Sequence, residues 1–291
     1  MLVQTRGRSS GMGTGHVTAA AVTPDQLLPY VRAVSGLDSR MFGSCVGHTC
    51  EGQTVLIGYP LGDPRNAAAV DAAIDEALQT PGLKHITVLT AARPRKAPEH
   101  ATVSEDAYWA LPLPLPPLGQ KLRNILRRAA REISIEEGGA EAWGREHTAL
   151  VESFCAGRAL EPGMVHIFRH LKAYLTQAQE ARLFSARQAD GSLVACAIGD
   201  YSSFSTAFYM FAFRLPTAPP GTADALLAAV AATGETRGHS LLNLGLGINA
   251  GIGFFKKKWG AEPFLPCVEC GWDRRQKETG WLARLLGRGL W

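Results

Sequence analysis

Apolar positions in residues 20–110 fall by turns at helical and at strand spacing. Leu27, Leu28, Tyr30, Val31 and Val34 give 25–34 one apolar side, the mark of a helix. The run TVLIGY at 54–59 reads as a strand, and HITVLT at 85–90 as a second. Between them 64–78 carries Ala67, Val70, Ala73, Ile74 and Leu78 at helical spacing. Strand, helix, strand is a crossover unit, so part of the sheet is expected to be parallel.

Beyond residue 117 the pattern opens on an amphipathic helix at 120–133. Leu122, Ile125, Leu126, Ala129, Ala130 and Ile133 form one face; Lys121, Arg123, Arg127, Arg128 and Arg131 form the other. Helices at 141–155 and 165–178 follow, then strand-like runs at 181–187 and 193–198 around Asp190-Gly191, a hairpin signature. The aromatic run FSTAFYMFAF at 204–213 is a further strand. Pro219-Pro220-Gly221-Thr222 then leads into an Ala/Leu helix at 223–236, a strand at 240–246 and a last helix at 249–259. The class is α/β, with α+β character and a mixed central sheet.

Leu111-Pro112-Leu113-Pro114-Leu115-Pro116-Pro117 lacks backbone donors and favours an extended, stiff connector. It divides the chain into a flexible leader (1–19), an N-terminal part (20–110), the connector (111–117), a C-terminal part (118–275) and a basic amphipathic tail (276–291). No period of 20–50 residues marks a solenoid. In the tail Trp281, Leu282, Leu285, Leu286 and Leu290 alternate with Arg284 and Arg288. Such a helix packs on its domain, joins subunits, or touches an anionic membrane surface. The oligomeric state stays open.

Composition narrows the class without naming a chemistry. Of 291 residues, 46% are hydrophobic and 19% charged, which excludes a disordered chain, a collagen repeat and a coiled coil. Thirty Lys and Arg against 26 Asp and Glu give a net charge of +4, too mild to require nucleic acid, though local clusters still could engage it. No stretch reaches the 18 or so apolar residues of a membrane span, and Met1 to Gly15 lacks the apolar core of a signal peptide, so a cytoplasmic location is expected. In that compartment the six cysteines are expected to be thiols. Cys45 and Cys50 with Cys267 and Cys270 could supply four thiolates to zinc, but the spacing is loose and the pairs are far apart, so no metal is expected. His166 and His170, four apart, allow the same two readings, a shared metal or ordinary packing.

The densest candidate chemistry lies in LLNLGLGINAGIGFFKKKWG at 241–260. A strand ends at Leu246, Gly247 permits a sharp exit, and Asn249 is a good N-cap for the next helix. That helix bears Phe254, Phe255, Lys256, Lys257 and Lys258. A surface helix with Phe255 and Trp259 packed inward and solvated lysines covers most of this pattern. It leaves unexplained the glycine-rich strand end, where binding crevices of open sheets form. A second candidate is the segment from Arg214 to Thr222. Gly221 would let the backbone approach a ligand, and a helix N-terminus suits an anion. His239, Glu235 and Asp200 are candidate bases, none singled out.

Four stretches in order resemble an acyl-CoA N-acyltransferase (GNAT) domain, most closely the GNAT-like domains of Fem-type aminoacyl transferases and of lysyl-phosphatidylglycerol synthases. They are LRNILRRAAREISIEEGG, LFSARQADGSLVACAIGD, PPGTADALLAAVAATGETRGHSLLNLGLG and INAGIGFFKKKWGAEPF. The resemblance implies tandem GNAT-like domains, the first degenerate and the second better preserved. It implies an acyltransferase that moves an acyl or aminoacyl group from an activated donor, acyl-CoA or aminoacyl-tRNA, to an amine acceptor. Phe255 and Lys256 fall on the Phe-Lys linked to catalysis, with Lys256 stabilising the oxyanion. Arg214, Pro220, Gly221, Thr222 and Asn249 fall at the donor-binding positions, although the loop departs from the usual pyrophosphate pattern and the last helix lacks the usual Tyr. The basic helix at 120–133 is either a solvated face or a contact for a polyanion such as tRNA. The departures also fit a catalytically silent module that binds a nucleotide, tRNA or protein. An open crevice between the strands at 200–213 and 240–246 favours the enzyme; a filled one favours the silent module.

Overall fold

The computed structural model describes residues 14–274. The leader up to residue 13 and the tail from 275 lie outside the described residues, and so do the expectations placed on them. Within the described part the strands are β1 (Asp38–Phe42), β2 (Cys45–Cys50), β3 (Gln53–Gly58), β4 (His85–Thr90), β5 (Thr102–Pro112) and β6 (Ile133–Gly138). They continue with β7 (Ala181–Gln188), β8 (Leu193–Asp200), β9 (Thr206–Arg214), β10 (Leu241–Leu246) and β11 (Glu262–Asp273). The helices are α1 (Thr14–Ala19), α2 (Leu28–Ser35), α3 (Ala67–Leu78), α4 (Gln120–Glu132) and α5 (Arg145–Ala156). After them come α6 (Pro162–Arg169), α7 (Leu171–Gln177), α8 (Thr222–Thr236) and α9 (Ala250–Lys258).

All eleven strands form one mixed sheet in the order β1-β2-β3-β4-β11-β5-β10-β9-β8-β7-β6. Only β3–β4 and β9–β10 are parallel, bridged by α3 and α8 respectively. The same succession therefore occurs twice: an antiparallel meander, a helical crossover to a parallel strand, then a closing strand. The closing strands are exchanged. β11, from the second half, pairs antiparallel with β4 of the first, and β5, from the first, pairs antiparallel with β10 of the second. They also pair with each other along most of their length, which makes one sheet from two halves.

The halves differ at their parallel pairs. β3 and β4 stay in register over all six residues, from Gln53↔His85 to Gly58↔Thr90. β9 and β10 pair only from Leu241↔Thr206 to Asn243↔Phe208 and then part.

Side-chain alternation places two helical layers on the sheet. Phe184, Ala195 and Ala197 face α4 and α8, while Leu183, Cys196 and Ile198 face α5 and α7. Asn66 caps α3 by accepting from the Ala69 amide at 3.0 Å. α3 buries Val70, Ala73, Ile74 and Ala77 against the first half of the sheet.

Several segments differ from the sequence reading. Residues 14–19, read as leader, form α1 and bury Val17; the Thr18 hydroxyl accepts from the Leu28 amide. Leu111 and Pro112, read as connector, are the last residues of β5, and Leu111 is fully buried. The helix expected at 165–178 breaks at His170 into α6 and α7. Strands β1, β2, β5, β6 and β11 lacked clear period-2 alternation; in β11, for instance, Cys267 and Val268 are buried side by side. No helix among the described residues is long and apolar enough to cross a membrane.

Leu111 sits where β5 meets β10 at the joint of the two halves. Leu111→Ala is expected to destabilise the fold by about 2–5 kcal/mol in urea unfolding, the usual cost of a buried Leu truncation. A loss below 1 kcal/mol would mean that the joint tolerates a cavity.

Candidate functional site

The parted strands open a cleft of about 760 Å³. Its walls are β9 and β10, the first turns of α9, and side chains from both faces of the sheet. Beyond Phe208 the β10-side edge of β9 has no strand partner, so main-chain polar groups face the cleft. A bulge between Ile198/Gly199 of β8 and Tyr209/Phe211 of β9 lies at the same level.

β10 is held away from β9 by polar contacts at its end. The Asn243 amide group donates to Val22 O at 2.9 Å, and its Oδ1 accepts from the Gly245 amide at 2.7 Å. Gly245 has φ +75°, a conformation that glycine adopts without strain. Asp106 of β5 accepts from the Gly247 and Ile248 amides at 3.0 and 3.1 Å. Lys256 completes the clamp, with Nζ donating to Gly245 O at 2.8 Å and Leu246 O at 2.5 Å.

Lys256 is therefore not one of three solvated lysines. Its side chain is buried and lines the cleft, whereas Lys257 is exposed. Burial lowers its pKa to about 8, with Asp106 pulling the other way. Two of its three N–H donors are on the carbonyls, leaving one for a cleft oxygen. Phe255, its neighbour, is half-buried and lines both the cleft and a second hollow.

That second hollow, about 270 Å³, is floored by residues 219–224 with Arg214 and Lys258 beside it. Arg214 also lines the main cleft, so the predicted donor positions 214, 220, 221 and 222 do converge. The reason for the glycine differs from the sequence reading. At φ +89°, Gly221 turns its bare Cα to α4, where a Cβ would meet Ile125 Cγ2 at 2.8 Å. The Thr222 hydroxyl donates to Pro219 O at 2.7 Å, closing the loop on itself. Asp224 in the first turn accepts from Trp259 Nε1 at 2.9 Å and pairs with Lys258 at 2.5 Å, which ties α9 to α8. Asn249 lines the cleft, but its Oδ1 caps α9 through the Ile252 amide at 3.0 Å.

The contact through Gly221 sets α4 beside this hollow. Lys121, Arg123, Arg127, Arg128 and Arg131 are all exposed on its outer side. Arg128 meets Glu132 at 3.5 Å, and Arg127 reaches Asn124 at 3.5 Å. Arg123 turns to Gln120 and Leu118 O.

The candidate bases are committed elsewhere. His239 has both ring nitrogens on carbonyls, Gly234 O at 3.2 Å and Ser203 O at 2.9 Å. Glu235 accepts from the Leu115 amide, and Asp200 from the Tyr174 hydroxyl. Cys45 and Cys270 are buried in the first-half core and Cys267 in a neighbouring cluster, while Cys50 is exposed. Among the described residues no three His, Cys, Asp or Glu side chains converge on a metal position. The His166 and His170 rings lie tilted, 4.1 Å between centroids, with His170 Nδ1 on His166 O. Sequence reasoning missed Asp106, Tyr30, Arg158 and Tyr209. The Tyr209 hydroxyl is buried without a partner among the described residues, and Tyr209 lines the cleft.

No protein-family model and no curated protein sequence matches this chain. Solved structures do. FemX is similar at 11% identity and TM-score 0.60, over 94% of this chain and 97% of its own. L-PGS from Bacillus licheniformis is similar at 18% identity and TM-score 0.56, over 91% and 95%. The tandem GNAT protein from the clavulanic acid biosynthesis pathway is similar at 11% identity and TM-score 0.51, over 89% and 93%. The fold is GNAT-like and tandem. In it the open parallel pair belongs to the second half and the closed pair to the first.

A Lys with a lowered folded-state pKa binds fewer protons than in the unfolded chain between pH 8 and its ordinary value near 10.5. Its contribution to stability therefore rises with pH across that window. Carbon-13 lysine NMR should show one resonance titrating near pH 8 that vanishes in Lys256→Met. Titration of every lysine near 10.5 would contradict the buried, carbonyl-bound ammonium.

Proposed function

We propose that the chain transfers an acyl or aminoacyl group from an activated donor to an amine, with the cleft between β9 and β10 as the reaction site. The observation that carries this is Lys256, a buried cation at the parted strand end with a donor to spare. In acyl transfer an amine attacks the ester or thioester carbonyl and its oxygen becomes negative. A fixed ammonium in a water-poor cleft stabilises that oxyanion far better than water can. Phe255 shapes the wall beside it. Arg214 and the loop Pro219–Thr222 hold the anionic part of the donor, aided by the amides that open α8.

Two donors fit this arrangement, acyl-CoA and aminoacyl-tRNA. α4, whose inner side touches the loop at Gly221, carries exposed cations on its outer side, which supports a donor with an extended polyanion, and tRNA is one. The division into a degenerate half (20–110) and a transferase half (118–275) is part of the same reading. The alternative is a silent module that binds a nucleotide, tRNA or protein. It draws on the self-closed Pro219–Thr222 loop, but the open cleft favours the enzyme.

Lys256→Ala is expected to lower kcat about 10²–10³-fold, the usual effect of removing an oxyanion donor, while Lys257→Ala leaves the rate near wild type. The assay pairs acetyl-CoA, longer acyl-CoAs or charged tRNA with an amine panel. Equal rates for wild type and Lys256→Ala would overturn the role of Lys256. Thermal stabilisation by CoA or by tRNA alone assigns the donor, a ligand at about 100 times its Kd adding about 2.7 kcal/mol.

A further inference from the structure

On the face of the sheet that carries α2 and α5, the cleft wall is aromatic: Tyr30, Phe154, Phe208, Phe211 and Phe213. These rings brace one another, with Phe154 edge-on to Phe213 at 5.1 Å and Tyr30 tilted on Phe211 at 5.9 Å. Arg158 stands at the same wall, its guanidinium 3.7 Å from the Phe154 ring centroid and Nη1 donating to Phe154 O at 3.2 Å. It is exposed and has no carboxylate partner among the described residues.

Charge selects as sharply as shape. Arg158, Arg214 and Lys256 line the cleft, and among the described lining residues there is no Asp, Glu or His. Acids next to the lining are engaged: Asp25 accepts from the Tyr108 hydroxyl at 3.0 Å, Asp106 holds the Gly247 and Ile248 amides, and Asp224 accepts from Trp259 Nε1 and pairs with Lys258. An apolar site with three cations admits an anion with an apolar body, and it rejects a side-chain ammonium that would be buried without a counter-charge. The predicted donor loop lies with α4 and α8 on the opposite face, so the aromatic wall is on the acceptor's side.

Resting on the transferase reading, we infer that the acceptor is an amine bearing a carboxylate and an aromatic body, as an aromatic α-amino acid does. Its carboxylate pairs with Arg158 and its ring lies against Phe154, Phe211 and Phe213. The nitrogen sheds its extra proton to solvent on entry, because Lys256 and the apolar walls disfavour a second ammonium. Its lone pair then attacks the donor carbonyl carbon. The C–N bond forms, and the C–S or C–O bond to the carrier breaks. The leaving group takes the bond pair and one of the nitrogen's two protons, departing as thiol or hydroxyl, and the other proton stays on the amide nitrogen. This supplies deprotonation without a dedicated base.

The test is calorimetric titration of the full chain, with and without CoA, using L-phenylalanine, L-phenylalaninamide, L-alanine and L-lysine. Phenylalanine should bind saturably, the amide at least about tenfold more weakly for want of its carboxylate, and alanine and lysine not measurably. Arg158→Ala should bring phenylalanine and its amide to equal affinity, with Arg158→Lys restoring part of the preference. Binding of lysine or alanine as tight as phenylalanine, equal binding of phenylalanine and its amide to wild type, or no phenylalanine binding would overturn the inference. A preference for phenylacetyl-CoA over acetyl-CoA without phenylalanine binding would assign the wall to the acyl group and overturn it too. Phenylalanine bound but never acylated would remove the transferase reading and leave the ligand class. Transfer to alanine as fast as to phenylalanine would do the reverse.

Discussion

A parallel strand pair that stops halfway leaves main-chain donors and acceptors without partners, and everything in the second half of this fold follows from how that is managed. β9 and β10 pair for three residues and then diverge. On the β10 side the loose carbonyls of Gly245 and Leu246 are taken by Lys256, and the amides of Gly247 and Ile248 by Asp106. Each of these charges is compensated by main-chain dipoles, which is why a lysine can be buried here at all. On the β9 side nothing comparable among the described residues fills the gap. Among the described residues the β9 edge has no strand partner there and the buried Tyr209 hydroxyl has no hydrogen-bond partner.

The first half contains the same strand–helix–strand unit without the divergence. β3 and β4 stay paired to their ends, and Gly58 lies so close to Leu89 O and Thr90 that a Cβ there would sit 3.0 Å from each. A closed pair exposes no main chain and makes no cleft. Its contribution is structural: it lends β5 as a partner to β10 and receives β11 in return. Asp106, which clamps the end of β10, lies on that lent strand. The site is thus completed by a residue from the other half of the chain.

Much of this was legible in the sequence and some was not, for physical reasons. Strands with uniform apolar runs, such as HITVLT, and helices with strong faces, such as α4, fell within a residue or two of their places. β5 and β11 escaped because both exchange between halves and mix exposed and buried positions, so neither carries the alternation of a one-sided strand. The burial of Lys256 could have been read from helical spacing: it stands four after Ile252 and three before Trp259, on the inward side. The resemblance singled out Lys256 for its chemistry, while the solvated-lysine reading of the same helix set its spacing aside. The contact of Gly221 with α4 is a long-range fact that no local pattern carries. Tyr30 comes to the cleft from α2 and Arg158 from the turn after α5, and only the tertiary fold joins them.

The most direct test of the central claim, that the gap between β9 and β10 is where the donor and acceptor meet, is amide hydrogen exchange across the whole chain. It is run with and without acetyl-CoA and with and without charged tRNA. Protection by one of them should appear in residues 209–214 and 244–256 and be absent from the closed pair β3–β4. Protection confined to other surfaces, or none with either donor, would contradict the account.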